Sequence, residues 1–224
     1  MLCAYHIILS PQGQVGLQDE SFFGNHDTMK ELSFRCEVRR YVVSLAPLPA
    51  QVASLLEALH APPRLVAHLR LVHDVARTII SRLDQAWSNL VYDRQAVLIG
   101  AATHDIGKII HPEELTHPGH EHEKAGEALL KALGVSEQLA RFARTHRQWA
   151  DEPQGHLEGY LVALADTLWR GKRDERLEEA ISKCIVAQTH QAQWHVFLTL
   201  DAIATSITAE ADRRLAWQNQ HPLS

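Results

Sequence analysis

From Ala50 onward the apolar residues recur with a helical period. Val52, Leu55, Leu56 and Leu59 stand at i, i+3, i+4 and i+7, and Ala61-Pro62-Pro63 ends that segment. A second helix is predicted over residues 64–83, with Leu69, Val72, Ala76, Ile79, Ile80 and Leu83 on one side. A third, over residues 93–103, carries the run AVLIGAA and reads as a central buried helix. A loop rich in Pro, Gly and His follows, over residues 111–120. Further helices fit residues 121–133, 136–146, 157–169, 176–188 and 193–217, with Ser136 as an N-cap before the Leu139, Phe142 and Ala143 face. No internal repeat and no Gly/Ser linker interrupts the pattern. It predicts an all-α domain over residues 49–224, a bundle of about seven helices.

The first 48 residues are patterned differently. Residues 2–9 form a short apolar and aromatic run, Pro11-Gln12-Gly13 reads as a turn, and residues 15–23 read as a returning strand. Residues 36–45 (CEVRRYVVSL) are also β-like, enriched in Val and Tyr. Pro47 and Pro49 separate this part from the helices. The expectation is a small β-containing N-terminal appendage over residues 1–48.

Composition narrows the class. With 46% apolar and 22% charged residues in a chain of 224, disorder is excluded and a sizeable core is expected. The net charge of −5 argues against a general nucleic-acid binder or a protein held on anionic lipid. No apolar run approaches membrane-spanning length, and MLCAYHIILSPQG lacks the basic and apolar regions of a signal peptide. Cys3, Cys36 and Cys184 are scattered, without a CxxC pair, which disfavours disulfides or a cysteine-based zinc site and suits a reducing cytoplasm. A cytoplasmic location is therefore expected. The 15 histidines do not stand in for missing basic charge, so metal binding is the first explanation to test.

His-Asp occurs three times, and only His104-Asp105 ends a strongly apolar helix, in AATHDIGKII. Burying that pair is costly unless something compensates, and a metal ion compensates both groups. Imidazole and carboxylate suit Mn, Fe, Co, Ni or Zn, and less often Mg. Gly107 lets the backbone approach closely, and Lys108 places a cation about one turn from the pair, suited to a phosphate. His73 lies beside Leu69, Val72 and Ala76; His146 follows Leu139, Phe142 and Ala143 at helical spacing; Asp166 is embedded in YLVALADTLW. A lone histidine on such a face is more often a satisfied core residue than a ligand, but together with HDIGK and Asp166 these positions point to a metal site. His6, His26, His60, His68, His156, His190, His195 and His221 read as surface or packing residues. Arg170, Lys172 and Arg173 read as a solvated helix end or as phosphate contacts. Trp149 is either a pocket wall or packing.

The order His73, His104-Asp105, Asp166 resembles the signature of the HD superfamily of metal-dependent phosphohydrolases. The strings VAHLRLVHDVA, ATHDIGK, HEKAG, ARTHRQW and ALADTLWRGKR carry the resemblance, over roughly residues 60–175. It implies an HD-domain helical bundle in which His73, His104, Asp105 and Asp166 bind one metal. Two further histidines mark the dinuclear branch, and His122 and His146 fit best, with Asp105 as the bridge between two ions. His120 competes with His122 for that role, and the HExxG context favours His122. His111 and His117 lie in the same loop. His117, His120, Arg147, Arg170 and Arg173 are the candidates for substrate contact.

The chemistry the resemblance implies is phosphoester hydrolysis with one or two divalent transition metals. A metal-activated hydroxide attacks, Asp105 sets the metal spacing, and Lys108 stabilises the phosphate or leaving group. The expected partner is a small phosphorylated substrate: a nucleotide, cyclic nucleotide or dinucleotide. A homodimer is a candidate assembly. HDIGKI lacks the acidic pair of the alarmone hydrolases, and RTHRQWADEPQGH lacks the double His and Gly-Tyr-Pro block of cyclic-di-GMP phosphodiesterases. The HD domain of bacterial tRNA nucleotidyltransferases and the dinucleoside-polyphosphate hydrolases look more similar. Two alternatives remain open: a di-iron HD-type oxygenase cleaving a C–C or C–P bond with O₂, and a non-catalytic nucleotide-sensing module.

Overall fold

A computed structural model of the chain describes residues 6–9, 15–18, 44–151 and 156–224. The chain divides into two compact units, Met1–Arg39 and Arg40–Ser224. In the first, β1 (His6–Leu9) and β2 (Val15–Gln18) pair antiparallel, with His6 opposite Gln18 and Leu9 opposite Val15. The rest of the expected appendage up to residue 43 lies outside the described residues, and residues 44–49 form no strand.

The second unit is helical. Its α-helices among the described residues are α1 (Ala50–Ala58), α2 (Pro63–Ala86), α3 (Arg94–Thr103), α4 (Glu121–Ala132), α5 (Glu137–Thr145), α6 (Leu157–Leu168), α7 (Glu175–Thr189), α8 (Gln193–Thr208) and α9 (Ala211–Gln218). Short 3-10 turns at Ile106–Ile109 and Pro112–Leu115 connect α3 to α4. Local chemistry sets several of these boundaries. Pro63 opens α2, where its missing N–H costs nothing. Asp93 caps α3 by accepting from Ala96 N at 3.0 Å, and Asp174 caps α7 by accepting from Arg176 N and Leu177 N. Ser136 stands at the N-cap of α5, but its side chain makes no capping hydrogen bond.

One expectation is corrected at the C-terminus. The helix predicted over residues 193–217 is two helices, α8 and α9. At the break Arg214 Nη1 donates to the Ile207 carbonyl at 2.6 Å, an oxygen at the end of α8 that also accepts from Glu210 N at 3.2 Å.

The apolar run of α3 is central, as its composition implies: α3 packs on α2, α5 and α6. Gly100 permits the approach, because a Cβ there would lie 2.7 Å from the Phe142 ring and 2.8 Å from Val162. Val97 and Ala101 of α3 join a large core with Val75, Ile79, Leu161 and Leu164. Ala102, one residue on, joins a smaller core with Leu56, Leu69, Leu130 and Ala143. The chain leaves α3 between these two cores, and His104 and Asp105 lie at that exit. No described helix is long and apolar enough to cross a membrane.

Candidate metal centre

His104 is the C-cap residue of α3 and is fully buried; Asp105 follows it, 3% exposed. His104 Nδ1 donates to the Ala101 carbonyl at 3.0 Å. A carbonyl only accepts, so the proton sits on Nδ1 and Nε2 is aimed outward. His146, the C-cap of α5, repeats the arrangement, with Nδ1 donating to the Ala143 carbonyl at 3.0 Å. His122, in the first turn of α4, is oriented by Glu114, whose carboxylate accepts from its Nδ1. Three imidazoles on three helices therefore present Nε2 to a shared space, each turned by a hydrogen bond on its other nitrogen.

Asp105 separates that space into two. Its Oδ2 lies 3.1 Å from His68 Nε2 and 3.7 Å from His104 Nε2, and Asp166 Oδ1 lies 3.5 and 3.4 Å from the same two nitrogens. Its Oδ1 lies 3.1 Å from His122 Nε2 and 3.5 Å from His146 Nε2. Donors held at ~2.1 Å around one tetrahedral ion are ~3.4 Å apart, so these atoms are already spaced as a shared cation would need them. The ligand atoms of His68, His104 and Asp166 form one group able to hold an ion, and those of His104, Asp105 and His146 a second. Nε2 of His146 is buried without a hydrogen-bond partner among the described residues, and Nε2 of His122 lies against the Asp105 carboxylate. A buried orphan costs ~1–3 kcal/mol, and a metal bond removes that cost. The donor set, three or more imidazoles with two carboxylates, fits a divalent transition metal.

Electrostatics agree with the geometry. Burial pushes the Asp105 carboxyl up, but His104, His122, His68 and Lys108 outweigh it and hold it well below the ordinary carboxylate range. Asp166 is likewise held low: burial opposes charge, and His104 and His68 more than offset it. Burial lowers His68, and it lowers His146 to about 4 with His104 adding to the effect. Burial also disfavours charge on His104 and His122, but Asp105 overcomes it and raises both. The carboxylates thus favour positive charge on His104 and His122, and Lys108 Nζ lies 2.5 Å from Asp105 Oδ2.

The cluster opens to a cavity of about 440 Å³. Asp105, Asp166, His68 and His146 line it together with Lys108, Arg147 and Arg170, and with Trp169, whose ring packs edge-on against His68.

The structure brings together His104, Asp105, His122, His146 and Asp166 from the set expected from sequence. The expectation for His73 is corrected: His68 stands in the cluster. Five residues along a helix is a rotation of ~140°, so the two histidines cannot face one site. His73 instead points into the bundle, 1% exposed, with Nδ1 unpartnered. Sequence periodicity missed this because α2 is buried on most sides, and both positions lie on an apolar stripe. Lys108 lines the cavity, as do His117, Arg147 and Arg170 among the substrate-contact candidates. Arg173 does not; it is bound to Glu178 and Asp201. His120 is exposed at the N-cap of α4, outside the cavity lining. Three further residues were not singled out from sequence: Glu114, which orients His122, and Arg64 and Gln218, which line the cavity from α2 and α9. Only their tertiary contacts reveal them.

The model of one protein family, the HD domain, matches residues 52–171, more than half of the chain. That span contains all six clustered side chains. No solved structure matches the chain.

Proposed function

The chain belongs to the HD-domain family, and on that footing we propose that it is a metal-dependent phosphohydrolase acting on a small phosphorylated substrate of the nucleotide type. One observation carries this reading. The two oxygens of Asp105 face two separate sets of ligand atoms, beside a cavity lined by cationic side chains. His68, His104, Asp105 and Asp166 would hold one ion, and Asp105, His122 and His146 a second. Divalent ions bound there would lower the pKa of water and offset charge on phosphoryl oxygens.

The remaining chemistry belongs to the protein. Asp105 fixes the separation of the two sets because one rigid carboxylate serves both. Lys108, only partly exposed, is placed to donate a charge-assisted hydrogen bond to a phosphoryl oxygen as that oxygen gains charge. Arg147 follows His146 directly, and among the described residues it makes one long hydrogen bond, 3.4 Å, to the Gly119 carbonyl, so its guanidinium is available to the same phosphate. Trp169 and Leu115 supply apolar wall for a nucleoside.

Elemental analysis of the purified protein, followed by a phosphoester panel, tests the reading. Chelator-sensitive hydrolysis restored by Mn²⁺ or Co²⁺ is expected. Chelator-insensitive turnover overturns it. Iron absorption with oxygen uptake and no hydrolysis would move the site to the di-iron oxygenase class.

A further inference from the structure

We propose that Arg64 and Arg170 form a second anion subsite beside the metal centre, completed by the C-terminal turn, which selects substrates carrying two or more linked phosphates. The inference deepens the phosphohydrolase reading and rests on it for the first anion, the one at the metal centre.

The helical spacing places both arginines. Arg64 precedes His68 by four residues on α2, so it lies on the same face one turn away. Arg170 follows Asp166 by four residues, just past the end of α6. Both line the cavity that His68 and Asp166 line. The backbone of Arg64 is therefore offset from that of His68 by about 6 Å along α2, and Arg170 stands in the turn that follows the helix carrying Asp166. A step that short is the reach of the next phosphate in a chain, not of a phosphate at the far end of a nucleoside.

Arg64 is held in place without losing its charge. Its Nε donates to the His221 carbonyl at 2.7 Å, Nη1 to Asn219 Oδ1 at 3.0 Å, and Nη2 to the Asn219 carbonyl at 3.4 Å. Its backbone N–H donates to the Pro222 carbonyl at 2.9 Å. Every acceptor is a neutral oxygen. The turn after α9 thus orients the guanidinium fork and leaves its positive charge uncancelled, the condition for tight binding of an anion. Gln218, at the end of α9, adds an amide to the same cavity wall.

Arg170 is exposed and makes no ion pair with a carboxylate among the described residues. Other arginines of the bundle are paired: Arg94 with Asp84, Arg144 with Glu127, and Arg173 with Glu178 and Asp201. The carboxylates that line the cavity are already engaged. Asp105 and Asp166 face imidazoles, and Glu114 accepts from His122 and from the backbone of α4. Neither Arg64 nor Arg170 is thus paired with one of the carboxylates that line the cavity, among the described residues.

The test is equilibrium binding of two probes to the metal-loaded full chain: adenosine 5′-monophosphate and the methylene-bridged, non-hydrolysable analogue of adenosine 5′-diphosphate. The diphosphate analogue is expected to bind about tenfold or more tighter. That ratio should collapse toward one in R170Q, in R64Q and in a chain lacking residues 219–224. R170Q changes an exposed side chain and should melt like the wild type. If R64Q or the truncation fails to fold, R170Q and R64K decide the matter, because lysine keeps the charge and loses the fork. Equal affinity for the two probes, or binding of neither, overturns the subsite. So does a ratio that survives in folded R170Q. A preserved, arginine-dependent ratio in a protein that hydrolyses no phosphoester sinks the phosphohydrolase reading alone. Hydrolysis without the ratio sinks the subsite alone.

Discussion

Lys108 Nζ donates to Asp105 Oδ2 at 2.5 Å, and the same oxygen lies 3.1 Å from His68 Nε2. One carboxylate oxygen thus faces both a fixed ammonium and the group that can hold an ion. The two residues should separate in function. D105N is expected to empty the site and abolish turnover, because it removes a donor shared by both sets. K108M should keep its metal and lose about 10–100-fold in turnover, the cost of one electrostatic contact to the reacting phosphate. Elemental content beside turnover checks this, and a metal-free K108M would contradict it.

His68 and His73 offer a sharper contrast on a single helix. H68A should lose bound metal and about 100-fold or more of activity, the scale set by losing a ligand rather than a supporting group. H73L should keep both, since His73 faces the bundle interior with an unpartnered Nδ1. Replacing that polar group by a leucine should leave thermal stability unchanged or higher, by up to about 1 kcal/mol. A metal-free H73L with an intact H68A would reverse the assignment.

The contribution of His73 to stability should fall in mild acid. Burial, with Arg77 adding to it, lowers His73 from 6.5 to about 4. As pH drops below about 6.5 the unfolded chain takes up a proton that the folded chain refuses until about pH 4, so stability declines across that window. Buried His146, also near 4, acts in the same direction in the metal-free protein. Denaturant unfolding at pH 7 and pH 5 should show the loss, and H73L should be less sensitive to the change. An equal pH dependence in H73L would assign the effect elsewhere.

Glu114 holds His122 in place. Its carboxylate accepts from His122 Nδ1, from His122 N at 3.2 Å and from Glu121 N at 3.0 Å, so one side chain caps α4 and orients an imidazole. E114Q should lower metal content toward half of the wild-type value and reduce activity about 10–100-fold, while the His68 side stays filled. Metal titration resolves the two sites. Full occupancy in E114Q would show that His122 needs no such support.

Gly107 lets the 3-10 turn after Asp105 press onto α4. A Cβ there would stand 2.0 Å from the His122 carbonyl oxygen and 2.6 Å from Gly126 N, both backbone atoms that cannot swing away. G107A should destabilise the protein by about 2 kcal/mol. In a domain of this size that lowers the melting temperature by about 4–8 °C. Calorimetry reads it directly, and an unshifted transition would mean that the turn and α4 separate freely.

The sequence alone determined the all-α bundle, the central place of α3, and the pairing of a buried His-Asp with a distant, half-buried Asp166. Those features are local or periodic: an apolar run, a cap, a charged group embedded where charge is costly. It could not choose between His68 and His73, because a helix buried on most sides has no single inward face. It could not break residues 193–217 into two helices, since a side chain seven residues on, Arg214, folds back onto the Ile207 carbonyl at the break. Nor could it pick Arg64 and Arg170 over Arg173. Which arginine's charge is left unpaired depends on which carboxylates fold against it, and packing alone decides that.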